Sequence, residues 1–415
     1  MKKLSGGVGC VYAVLLLCVG ACADVSEGST FEVVDSAGVA LALSREPDWA
    51  DGSEWSLPVE PVLELGAQTG PVDVLFSEVV GAVRLSDRSI VVCNADDRTL
   101  RYYGPEGVHL YSRAGQGDGP DELRRMARCF HRAGEIWVYQ APALPIKIFD
   151  ERGALLRTVS IPRPGGRVAQ LIDVADDGSM LLRQDARRQT LEPGASPLRT
   201  TIMRTAPDGG AALDTVGTFD GGLWVRGDVV TFPAAFSPTL AAAFVGKSIV
   251  VSWPEISDFM VIDSVGDVVR RVRTTTEPLA VSAADRRAFE DRVLNGPMPA
   301  GDTPYQDEGI RRQIVGMMVY PDVFPVHYRM LISIDGLVWL ERGDAPRDPL
   351  PQVADVYPAP TTWDVFDSEG RWLGGVALPA RFDPLEIAGA HVLGVHHDEL
   401  GVERLRLYDL TKPVR

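Results

Sequence analysis

The side chains able to do chemistry are few here and widely spaced. His396-His397-Asp398 is the only cluster among the six histidines of the 415-residue chain, and it carries the residue types of a metal ligand set or a proton relay. Consecutive residues of a strand point to opposite faces, so at most one imidazole can share a site with the neighbours of Asp398. Solvent contact or loop packing is the expected role. Zinc signatures of the H-E-x-x-H or paired C-x-x-C kind are absent. A phosphate loop and a G-x-S-x-G nucleophile elbow are absent too. The sequence therefore identifies no cofactor, no metal ligands and no catalytic residue.

One cysteine is more specific. Lys2 and Lys3 open the chain, an apolar stretch covers residues 8–20, and Val19-Gly20-Ala21-Cys22 follows. The stretch is broken by Gly9 and is short for a bilayer span. Small residues before a cysteine let a peptidase reach the backbone, and the thiol then carries a diacylglycerol. Residues 1–21 read as a lipoprotein signal peptide, Cys22 as the lipid-attachment residue and 22–30 as a tether. The other reading is an ordinary secretory signal with a chance cysteine. Removing 1–21 takes two lysines and no acid from a net charge already at −16. Lipid, not basic residues, would then be the link to a membrane. Ala23 stands where an aspartate would favour inner-membrane retention, which favours the outer membrane of a bacterial envelope, although Asp24 weakens that inference.

Cys10 and Cys18 leave with the signal, so Cys93 and Cys129 remain. Both sit in apolar, strand-like runs, where small buried hydrophobes are expected rather than a disulfide. The excess of 57 Asp and Glu over 41 Lys and Arg leaves no basic face, which argues against nucleic acid as a partner.

These residues must be positioned by strands. Past the tether, short runs of Val, Ile, Leu and aromatics alternate with Asp/Gly turns, the pattern of an all-β chain. One kind of turn joins two apolar runs directly, as at Ala133-Gly134, Asp177-Gly178, Gly246-Lys247 and Asp335-Gly336. A second kind is Asp-x-x-Gly after an aromatic or apolar residue, as at Asp150–Gly153, Asp263–Gly266 and Asp367–Gly370. The alternation predicts four antiparallel strands per unit, at a period near the ~40–50 residues of propeller repeats. Six units fit, and the sixth, from Phe382, runs out of chain without a fourth strand. The run at 63–71 echoes 111–120, so an N-terminal strand is expected to complete the last unit. The expected fold is a six-bladed β-propeller over residues 31–415. An Asp-x-x-Gly hairpin around Asp35–Gly38 reads as a rim decoration, with seven blades as the alternative.

An insertion over about 277–326 interrupts the period. Ser282-Ala283-Ala284-Asp285 is a helix capping box, and a second short helix is expected over 308–318. The insertion is either a lid or shoulder over one end of the central channel or a docked decoration between blades. Trp137, Trp253, Trp339 and Trp363 recur on or beside predicted inner strands and read as blade-core packing.

Gly115-Gln116-Gly117-Asp118-Gly119-Pro120-Asp121-Glu122-Leu123 resembles the Gly-x-Gly-x-Gly-Pro-Gly-Glu-Phe signature of bacterial six-bladed β-propeller lipoproteins related to NHL-repeat propellers. Asp121 replaces the last glycine and Leu123 the phenylalanine. The runs 363–370 and 398–403 also resemble that family. The resemblance implies a propeller and export but hands over no catalytic residues. Gly115, Gly117, Gly119, Pro120 and Glu122 read physically as a tight inter-blade crossing. Two functions remain: a lipid-tethered binding or scaffold module for an envelope protein, peptide or small molecule, and a gluconolactonase-like hydrolase or lyase using a divalent ion in the channel. The binding module is favoured, because most acids sit in Asp-x-x-Gly turns. Cys22→Ala should abolish incorporation of radiolabelled palmitate; label that survives the substitution would refute lipid attachment.

Overall fold

A computed structural model describes residues 30–49, 53–141, 144–207, 210–228, 230–237, 240–253, 258–296, 306–343 and 359–412. Residues 1–29, where a signal peptide, the Cys22 attachment site and most of a tether are expected, lie outside the described residues. The turn chemistry is formed locally as the sequence requires. Asp150, Asp263, Asp367 and Asp398 each accept backbone N–H bonds of 2.8–2.9 Å from within their own turns. The following glycines, such as Gly153 at φ +81° and Gly370 at φ +81°, take the left-handed conformation that closes the turn.

Strands between these turns assemble six sheets among the described residues. Their first strands are Val79–Arg84, Arg128–Arg132, Gln170–Val174, Ala241–Val245, His327–Ile332 and Phe382–Ala388. We number the sheets 1 to 6 in that order. Sheets 1, 2, 5 and 6 have four antiparallel strands, and the sheets stand as in a β-propeller. Each successive pair encloses one apolar cluster. Val91, Leu100 and Val138 lie between sheets 1 and 2, and Trp137, Leu171 and Leu182 between sheets 2 and 3. Ile202, Phe244 and Val251 follow between sheets 3 and 4, and Val250, Val338 and Phe366 between sheets 4 and 5. Trp339, Trp363 and Phe382 join sheets 5 and 6, while Ile90, Val92, Leu393 and Leu405 join sheet 6 to sheet 1. Among the described residues, each sheet thus shares an apolar cluster with both of its neighbours.

The last sheet is completed from the other end of the chain, as the echo at 63–71 predicts. Leu63–Leu65 runs antiparallel to Glu403–Asp409, with Leu65 opposite Leu405 and Leu63 opposite Leu407. The early hairpin Phe31–Ser36 and Val39–Ser44 extends sheet 4 at its outer edge, where Val39–Ser44 pairs in parallel with Val268–Thr274.

Sheet 3 departs from the repeat in a way the sequence does not announce. Its outer strands, Gly194–Ala206 and Gly210–Arg226, are 13 and 17 residues long, and Thr231–Pro233 adds a fifth strand. Three register shifts interrupt their pairing, so no clean alternation marks them. The insertion forms helices Ala283–Asn295 and Glu308–Met317, the first with the expected Ser282/Asp285 capping box. Phe289, Val293 and Ile314 pack with Val225, Phe232, Phe236 and Phe324. Its apolar face is thus docked on the extension of sheet 3.

The expectation of two separate buried thiols fails. Cys93, in the second strand of sheet 1, and Cys129, in the first strand of sheet 2, form a disulfide with Cα atoms 6.5 Å apart. Strand residues far apart in sequence face each other only once the sheets have packed, so local apolar context misleads. The bond closes a loop of 36 residues, for which chain entropy gives about 4 kcal/mol. Cys93→Ala with Cys129→Ala should lower unfolding stability by that order in a urea melt. A midpoint unmoved by reductant would show that the pair contributes nothing.

Candidate functional site

The innermost strands bring together the polar groups of successive sheets, and each junction carries a link. The disulfide joins sheets 1 and 2. Arg132 donates to Asp173 at 2.9 Å across the junction of sheets 2 and 3. The second oxygen of Asp173 accepts the Phe244 N–H of sheet 4 at 2.8 Å. Asp173 is buried, and burial pushes its carboxyl above the usual range while Arg132 and the two N–H donors act against that. Ser252 of sheet 4 hydrogen-bonds Nε2 of His327 in sheet 5. Arg329 joins Glu341, 2.8 Å away in its own sheet, to Asp383 of sheet 6. Glu386 and Glu403 of sheet 6 accept from the backbone N–H groups of Arg84 and Val79 in sheet 1, at 3.2 and 2.9 Å. The inner acids therefore hold one sheet to the next. Among the described residues, no three His, Cys, Asp or Glu side chains gather where they could hold a metal ion.

The glycine-rich run 115–123 crosses from sheet 1 to sheet 2. Gly115, at φ +136°, makes the bend, and its carbonyl accepts the Leu123 N–H at 2.7 Å. Glu122 folds back so that its carboxylate accepts the Gly119 N–H at 2.8 Å, and it lies so close over Gly117 that a Cβ there would collide with it. Leu123 is fully buried. The ammonium of Lys147, from the third strand of sheet 2, donates to the carbonyls of Gly119 at 2.9 Å, Pro120 at 2.7 Å and Glu122. All three ammonium donors are used to hold the crossing. Burial lowers the Lys147 pKa, with Asp121 and Glu122 acting against it. Sequence reasoning missed Lys147, although a signal existed: it is one of three lysines beyond residue 21 in a chain whose other cations there are arginines.

The histidine cluster does not assemble a site. Asp398 closes its own turn by accepting from Leu400 and Val402, and those hydrogen bonds lower its pKa. Burial pushes His396 down to about 4. Trp137, Trp339 and Trp363 are buried at 1% exposure or less, as core packing requires. The side chain of Trp253 lies outside the described residues. His327 and Ser252, which no motif marks, are at 3% and 0% exposure.

No family model and no curated protein matches the sequence. Solved structures do match in fold. A member of the DUF4221 family from Bacteroides vulgatus is 10% identical over 86% of this chain and 98% of its own, with a TM-score of 0.53. A Bacteroides fragilis protein described as exported is 11% identical over 90% of this chain and all of its own, at 0.45. A gluconolactonase from Xanthomonas campestris is 11% identical over 85% and 99%, at 0.43.

The junction of sheets 4 and 5 sets an acid limit. Burial holds the His327 imidazole at about 4 against an ordinary 6.5, so the folded chain binds fewer protons than the unfolded one between these values. Its contribution is complete above about pH 6.5, declines as pH falls, and is lost by about pH 4, a change of roughly 3 kcal/mol. Urea melts of wild type and His327→Gln should converge over that window as pH falls. A constant difference between the two would refute this assignment.

Proposed function

We propose that this chain is an exported, lipid-anchored, six-bladed β-propeller that acts as a binding or scaffold module in the bacterial cell envelope, with the outer membrane as its site. The six sheets, each sharing an apolar cluster with the next, support the blade count. The Cys93–Cys129 disulfide supports export, because such bonds persist in oxidising compartments. Cys22 would be the anchor and the membrane the first partner.

The observation that carries the binding reading is the engagement of the inner acids. Asp173, Asp383, Glu386 and Glu403 each hold a guanidinium or a backbone N–H of the neighbouring sheet. Their oxygens serve ring contacts, and a module of this kind would work by presenting its loops. The partner would be an envelope protein, peptide or small molecule. Crosslinking in intact cells followed by purification of the tagged, full-length protein should capture a defined envelope component, and the capture should persist in Cys22→Ala exported with a secretory signal. Turnover of sugar lactones by the purified protein, dependent on added divalent ion, would overturn this reading in favour of a hydrolase.

A further inference from the structure

The acid surplus of the chain is not spread evenly over the ring. Two loops at the junction of sheets 2 and 3 carry Arg163, Arg167, Arg187 and Arg188 against a single acid, Glu192. The first loop, 160–169, crosses from the last strand of sheet 2, Leu155–Val159, to Gln170–Val174. The second, 186–193, joins Met180–Asp185 to Gly194–Ala206 within sheet 3. The two lie together. The Gln184 amide donates to the Pro164 and Arg167 carbonyls at 3.5 and 3.4 Å, and Arg167 donates to the Asp185 carbonyl. The Asp185 carboxylate accepts instead from Arg183 at 2.8 Å and Thr200 at 2.7 Å. Arg163, Arg187 and Arg188 are exposed, and Arg188 lies over the ring of Trp224, 3.9 Å from its centroid. Such a stack orders a guanidinium without using its N–H donors.

Strand direction fixes which face of the ring these loops occupy. Successive strands of a sheet alternate in direction, so the crossings between sheets and the loops between second and third strands open on one face. The chain also enters the fold there. Val39–Ser44 runs parallel to Val268–Thr274, the strand that leads into the crossing to sheet 5, with Ser44 opposite Thr274. Phe31 in turn is opposite Ser44, which puts the first described strand's beginning on the crossing face. Eight peptide links join Cys22 to Thr30, a reach of at most about 29 Å.

We infer that Arg163, Arg167, Arg187 and Arg188 form a docking surface for a bilayer carrying anionic headgroups, and that it turns the crossing face of the ring toward the membrane. This rests on the lipid anchor proposed at Cys22 and specifies how the propeller sits above it. An anchor limits distance but not orientation, and so short a tether keeps the crossing face within reach of the surface. Guanidiniums match headgroup phosphates, and each adds to the attraction of an anionic leaflet. The opposite face, which carries the turns of Asp150, Asp263 and Asp367, is left open to a protein or small-molecule partner.

Vesicle flotation of the Cys22→Ala chain, exported with a secretory signal, tests the surface without the anchor. It should bind vesicles of phosphatidylcholine and phosphatidylglycerol in equal parts at low salt, but not phosphatidylcholine alone. Physiological salt should weaken the binding. Arg187→Gln and Arg188→Gln should each weaken it about fivefold, the effect of one cation at an anionic surface. Arg187→Lys should bind as the parent does, and so should Arg152→Gln, in a turn of the opposite face. Melting curves matched to the parent establish that each variant is folded. Absence of binding to the mixed vesicles, equal binding to phosphatidylcholine, or an affinity unchanged by Arg187→Gln with Arg188→Gln would overturn the surface. Crosslinking of these loops in cells to an acidic envelope protein, without vesicle binding, would assign them to a protein partner and overturn the membrane. Palmitate incorporation into the wild-type chain reads the anchor separately: a chain that takes up no palmitate yet binds the mixed vesicles loses the anchor and keeps the surface.

Discussion

Leu63–Leu65 paired with Glu403–Asp409 is the contact on which the remaining architecture depends. Successive sheets pack face to face, so each has two neighbours only if the first and last sheets also meet. Three residues from near the beginning of the chain supply the outer strand of the sheet built from its end. Glu64 strengthens the pairing by reaching Arg406 at 2.6 Å and Arg404 at 3.4 Å. Without it, Glu403–Asp409 would expose a free strand edge, and Leu65, Leu405 and Leu407 would lose part of their cover. Closure converts a row of sheets into a ring, which is why small local contacts at one junction bear on the whole.

The charges of this chain are used within that ring. The acidic surplus does not leave free carboxylates on the innermost strands: Asp173, Asp383, Glu386 and Glu403 are tied to arginines and backbone N–H groups of adjacent sheets. Asp173 serves two junctions at once, accepting from Arg132 on one side and Phe244 on the other. Burial makes its charge costly, and three donors offset that cost. The remaining conspicuous acids, Asp150, Asp263, Asp367 and Asp398, hold turns.

The ring is also asymmetric. The long outer strands of sheet 3 and the helices of the insertion share a core of their own, in which Phe236 meets Phe289 at 5.1 Å and Phe324 at 4.8 Å. Neither element could bury its apolar side alone. A 13-residue helix with only Phe289 and Val293 buried needs the sheet extension beneath it, and that extension needs the helix. The two departures from the repeat therefore depend on one another, though they lie far apart along the chain.

Turns, caps and strand periods were legible because their physics is local. An aspartate that accepts N–H bonds from residues two and four places on, a glycine at positive φ, and Ser282 capping its own helix all act within a few residues. The spacing of those signals determined the all-β repeat, and the echo of 63–71 with 111–120 determined how the last sheet is completed. The expectation of a lipoprotein signal likewise rests on contiguous residues. Tertiary structure alone decided the pairing of Cys93 with Cys129, the three carbonyls gathered by Lys147 and the partner of His327. Each depends on which strand of one sheet faces which strand of the next. That choice follows from the packing of whole sheets, where distance along the chain carries no information about distance in space.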